Sequence, residues 1–105
     1  MFLIQLLLPS ARESSTADPR LGDTRRELVA QFGGATAYLR APAHGEWTSP
    51  DGSRESDTLV MVEVVAPSFD GEWWRPYERT LAARFDQQVV HIRAMTVDIL
   101  NEAAT

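Results

Sequence analysis

Thr58–Ala66 is the segment that most narrows what this chain can become: four valines, Leu59 and Met61 fall within nine residues, and Pro67 closes the run. β-Branched residues at that density favour a pleated strand over a helix. A strand this apolar must be covered, so the rest of the chain has to supply neighbouring strands and a helical layer. Phe2–Leu8 is a second run of the same kind, ended by Pro9, which cannot continue a ladder. It has no positive flank and is far below the ~20 residues that span a bilayer, so it reads as a buried strand rather than an export signal or anchor. A cytoplasmic protein with no membrane partner is expected.

The other periodicities complete the set. Leu21, Leu28 and Phe32 share one helical face, in a helix capped by Asp23 or Thr24 and stopped by Gly33-Gly34. Ala35–Arg40 alternates as a strand. Ser68 or Asp70 caps a second helix reaching about Phe85, with Trp74, Tyr77, Leu81 and Phe85 as its buried stripe and Pro76 inside it. Gln88–Val97 forms the last strand. Residues 9–22 and 41–55, rich in Pro, Gly, Ser and Asp, read as long loops, the first of them mobile, and 98–105 as a frayed tail. The order β-α-β-β-α-β predicts one α+β domain over 1–105 with the ferredoxin-like fold: a four-stranded antiparallel sheet, order 4-1-3-2, with both helices on one face.

Composition then removes whole classes of chemistry. The chain has no cysteine, and all ten basic residues are arginine. No disulfide framework, thiol nucleophile, thiolate metal site or Schiff-base lysine can form. A formal charge of -5 opposes a phosphate backbone, and the expected centres of strands one and three hold Gln5, Met61 and Glu63 rather than stacking aromatics, so nucleic acid is not an expected partner. The two histidines, His44 and His91, stand 47 positions apart with no ligand spacing, so no metal and no cofactor are expected.

The sheet face opposite the helices carries the candidate site. Alternation puts Leu3, Gln5 and Leu7 of strand one there, with Leu59, Met61, Glu63 and Val65 of strand three and Val89, His91, Arg93, Met95 and Val97 of strand four. That set is too apolar to stay wet, and a second copy in a two-fold homodimer is the simplest cover. Its polar members are Gln5, Tyr38, Glu63, His91 and Arg93. Two readings compete. In one, Glu63 and Arg93 form an interface ion pair over Gln5, supported by Tyr38. In the other, the face lines a pocket for a small molecule: His91 is a general base, Glu63 orients it, Arg93 holds a carboxylate or enolate oxygen, and Tyr38 donates a proton. Gln5, with Trp47 from the neighbouring loop, would then contact the ligand. Trp74 is expected in the core and Trp73 at a rim.

Phe32-Gly-Gly-Ala-Thr-Ala-Tyr38, Gly45-Glu-Trp47, the valine-rich strand and Arg84-Phe-Asp-Gln-Gln-Val-Val-His-Ile-Arg93 together resemble a group of small uncharacterised bacterial proteins, over roughly residues 24–100. The resemblance implies the ferredoxin-like fold and carries over no catalytic residue. The wider class of dimeric α/β barrels contains cofactor-independent oxygenases, haem-handling enzymes and small-molecule binders, which is an analogy of fold. The expectation is therefore a homodimeric binding or structural module, with a small cofactor-independent enzyme of proton-abstraction or oxygenase type as the alternative.

Overall fold

A computed structural model describes residues 1–10, 18–48 and 54–100, and side chains over 1–9, 18–35 and 59–100. The elements are β1 (Phe2–Ser10), α1 (Pro19–Phe32), β2 (Thr36–Thr48), β3 (Arg54–Ala66), α2 (Gly71–Arg84) and β4 (His91–Thr96). The strands form one antiparallel sheet in the order β2-β3-β1-β4. β1 is therefore bonded on both sides, which suits the near-continuous apolar run that the sequence places there.

One face of the sheet makes the core. Ile4, Leu6, Leu8, Val60, Val62 and Val64 are at most 1% exposed. They form a single cluster with Leu21 and Leu28 of α1 and Trp74, Leu81 and Phe85 of or just beyond α2, so both helices cover that face. Alternation had assigned these strand residues to the covered side, and the residues between them to the other.

Element ends differ from the sequence reading for identifiable reasons. β1 continues through Pro9 to Ser10, pairing with Leu59 and Thr58. β4 pairs only as far as His91 opposite Leu7, so beyond that point β1 has a neighbour on one side and tolerates a residue without an N–H. α1 begins at Pro19, not after Asp23: Asp18 is the cap, accepting from the Arg20 backbone N–H at 2.9 Å, and Pro19 occupies the first turn. Thr24 is instead fully buried and donates to the Arg20 carbonyl at 2.8 Å. Of the predicted loop 9–22, residues 9–10 thus belong to β1 and 19–22 to α1, and residues 11–17 lie outside the described residues.

The predicted loop 41–55 is mostly strand. β2 and β3 pair out to Thr48 opposite Arg54, with a register shift between Tyr38 and Ala43 that absorbs Pro42. β2 is an edge strand, where proline and glycine break no inner ladder. α2 is capped by Asp70 and runs through Pro76 to Arg84. β4 starts at His91, three residues later than expected, because Glu78 of α2 accepts the Val90 N–H at 2.8 Å. Of the expected tail 98–105, residues 101–105 lie outside the described residues.

Candidate functional site

Strand register lays the helix-free face out in rows. Gln5 is the cross-strand partner of both Glu63 and Arg93, and Thr36 continues that row beyond Glu63. The next row is Tyr38, Met61, Leu7 and His91. On the other side, Leu3 stands between Val65 and Met95.

Gln5 is 9% exposed and joins the two charges beside it. Its Nε2 donates to Glu63 Oε2 at 2.6 Å, and its Oε1 accepts from Arg93 Nε at 2.7 Å. The amide has one allowed orientation here, because a carboxylate only accepts and a guanidinium only donates. The expected direct Glu63–Arg93 pair is therefore replaced by a three-residue relay. The charges are two strand spacings apart, ~9.6 Å between backbones, and the glutamine fills the gap. Among the described residues no other side chain bonds Glu63 Oε1 or the two terminal nitrogens of Arg93.

The structure brings together Gln5, Glu63 and Arg93. It does not bring His91 to them, and it sets the Tyr38 backbone in the neighbouring row. His91 is exposed and lies one row away, opposite Leu7. Tyr38 begins that same row on β2, three strands from His91, or ~14 Å between backbones. The side chains of Tyr38, His44 and Trp47 lie outside the described residues; the Trp47 backbone pairs with Glu55, well along the hairpin.

Two concavities and one cluster escaped the sequence reading. A hollow of about 340 Å³ lies under the α1–β2 connector, walled by Leu3, Phe32, Gly33, Gly34, Ala35, Glu63 and Val65. Gly33-Gly34 does end α1, with Gly33 at φ 84°, but it also forms a wall beside Glu63. A groove of about 270 Å³ runs between α2 and β4, with Trp74, Val90 and Ile92 in its lining and Arg75 and Arg79 among its charged residues. The two helices are latched by Glu27: it accepts two bonds from Arg84, at 2.7 and 2.9 Å, and one from the Tyr77 hydroxyl at 2.8 Å. Arg84 holds the Glu27 carboxyl below its usual range, and burial, then Glu27, pushes the Tyr77 hydroxyl upward. Tyr77 had been read as a plain member of an apolar stripe. The i,i+3 and i,i+4 rules see neighbours on one helix and miss a latch between two.

No family model matches the chain, and none of the curated proteins matches it. Its fold is nevertheless shared with solved structures. The divalent cation tolerance protein CutA1 of Thermus thermophilus superposes with a TM-score of 0.64 at 12% identity, over 99% of this chain and 91% of that one. CutA from Xylella fastidiosa superposes at 0.62 with 16% identity, over 98% and 89%. The chain is thus an α+β protein with the ferredoxin-like fold of the CutA1 structures. At such identities the likeness speaks for the fold alone.

Proposed function

We propose that this protein is a self-assembling binding module in the cytoplasm, whose helix-free sheet face is covered by a second copy of the same chain in a two-fold homodimer. The observation that carries the reading is the Glu63–Gln5–Arg93 row, set among Leu3, Leu7, Met61, Val65 and Met95. The row is self-complementary. A two-fold axis running along β1 places Glu63 of one copy over Arg93 of the partner subunit and repeats the contact on the other side. An axis across the strands would set like charges together, so the row favours one packing over the other. The apolar residues around it supply the burial, and the charges supply the register.

A proton-transfer centre built from His91, Glu63, Arg93 and Tyr38 would have to draw His91 and Tyr38 from different copies, because one copy holds them at opposite ends of a row. The divalent cation tolerance in the name of the CutA1 neighbours finds no matching donor set: among the described residues, no three His, Asp or Glu side chains converge. The test is sedimentation velocity at micromolar concentration. The wild-type chain should sediment as an assembly, Glu63→Arg and Arg93→Glu should each dissociate it while keeping the fold, and the double reversal should restore it. A wild-type monomer would end this reading.

A further inference from the structure

We infer that the hollow under the α1–β2 connector is a binding site for a small organic cation, a protonated amine carried on an aromatic or aliphatic body. The hollow is formed by residues of one copy, but Leu3, Glu63 and Val65 also lie on the face that the proposed dimer covers, so an occupant competes with the second copy for Glu63. At about 340 Å³ it lies within the range of small-molecule sites, ~300–1,000 Å³. Part of its wall is apolar: Leu3 and Val65 from the sheet, Phe32 from the end of α1 and Ala35 from the connector.

Two features on those walls ask for positive charge. Among the described residues Glu63 is the only charged side chain lining the hollow, and Gln5 occupies only its Oε2. A carboxylate offers about four lone-pair sites, so Oε1 can still accept from an ammonium group. The second feature is the end of α1. Its last turn contains no basic residue, so the negative end of that helix dipole has no side-chain counter-charge, and it ends at Gly33 on the rim of the hollow.

The same features select against other ligands. An anion would meet Glu63 with no compensating cation among the described residues of the walls. A divalent metal needs several oxygen donors, and Glu63 is the single carboxylate here, with no cluster of three His, Asp or Glu among the described residues. An organic ammonium needs one good acceptor and brings its own apolar surface for Leu3 and Val65.

Phe32 also provides a reporter. It stacks on Trp74 at 5.3 Å between ring centres and meets Trp73 edge-on at 5.0 Å, so an occupant of the hollow perturbs tryptophan emission. The experiment titrates the full ¹⁵N-labelled chain at neutral pH with benzylamine, benzyl alcohol and benzoate. It follows the Gly33, Gly34 and Val65 amide resonances together with that emission. Benzylamine should move all three amides and bind on the order of tenfold or more tightly than benzyl alcohol, with benzoate inert. Glu63→Gln keeps an oxygen for the Gln5 amide but removes the charge, and should bring benzylamine within about twofold of the alcohol, the difference that a charged acceptor makes. Equal binding of amine and alcohol, an unaffected Glu63→Gln variant, silent amides with every probe, or tighter binding of zinc chloride than of benzylamine would each overturn the inference. Sedimentation of the same samples reports assembly separately: benzylamine should shift an assembled chain towards monomer, since both claim Glu63, and a wild-type monomer that still binds benzylamine removes the dimer and leaves this site standing.

Discussion

Replacing Gln5 by alanine tests the relay at its centre. The residue is 9% exposed and makes bonds of 2.6 and 2.7 Å to groups of opposite charge. A hydrogen bond to a charged group contributes ~1.5–3 kcal/mol when well buried. Glu63 is only half-buried and Arg93 is exposed, so water recovers part of each interaction, leaving about 1 kcal/mol apiece. Losing the side-chain stem adds ~0.8 kcal/mol per buried methylene. Gln5→Ala should therefore cost about 2–3 kcal/mol in urea-induced unfolding, or roughly 10 °C in midpoint temperature for a domain of this size. Glu63→Gln keeps an acceptor for the Gln5 amide and should cost under about 1 kcal/mol. If the face is an interface, the Gln5→Ala midpoint should also fall on dilution more steeply than that of the wild type, since association stabilises by mass action. A loss below about 0.5 kcal/mol, the range of ordinary surface substitutions, would show that the relay contributes nothing to the fold.

Other perturbations separate the remaining contacts. Glu27→Gln unlatches the helices; Glu27 is 43% exposed, so the loss should be near 1 kcal/mol at neutral pH by chemical denaturation. Because the Glu27 carboxyl is lowered in the folded state, its contribution is complete above its unfolded value and disappears as the pH falls through the folded one, so the wild-type and Glu27→Gln curves should converge in acid. Asp18→Ala removes the α1 cap and should cost ~1 kcal/mol in thermal unfolding, converging with wild type in acid for the same reason, since Arg20 lowers the Asp18 carboxyl. Leu6→Ala, at a fully buried position on the central strand, should cost ~2–5 kcal/mol by urea denaturation, and retention of wild-type stability would contradict the core assignment.

Period-two alternation read the sheet correctly because its signal is intrinsic to the pleat. Ile4, Leu6 and Leu8 face the helices and Leu3, Gln5 and Leu7 do not, as the pattern requires. Element ends were harder, because they turn on what a neighbour tolerates. Pro9 stops a strand bonded on both sides but not one whose partner has already ended. Pro42 and Gly45 resemble a loop until β2 is known to be an edge. Asp18 followed by Pro19 is a sound helix start in sequence, yet the later Asp23 offered an equally good side chain, and only the Asp18 contacts with Arg20 separate them.

The site was legible in its members and not in its pairing, and the reason is register. A shift of one pairing step along β4 would have put His91 beside Gln5 and Arg93 beside Leu3, and no residue count distinguishes the two. The observed register sets the glutamine between opposite charges, so that both ends of its amide find a charged partner within the sheet. Shifting β4 by that step would strand Arg93 among Leu3 and Val65, and would leave the Gln5 carbonyl facing an imidazole. The polar row is therefore a device for fixing strand alignment, beside the docking role proposed for it above. Gln5→Ala should loosen β4 before it loosens β3, because β3 also pairs with β2, whereas β4 is held by β1 alone. Amide exchange measured strand by strand would show this as faster exchange at Ile92 and Ala94 than at Val62 and Val64. Equal acceleration on both strands would mean that the row does not hold the alignment of β4.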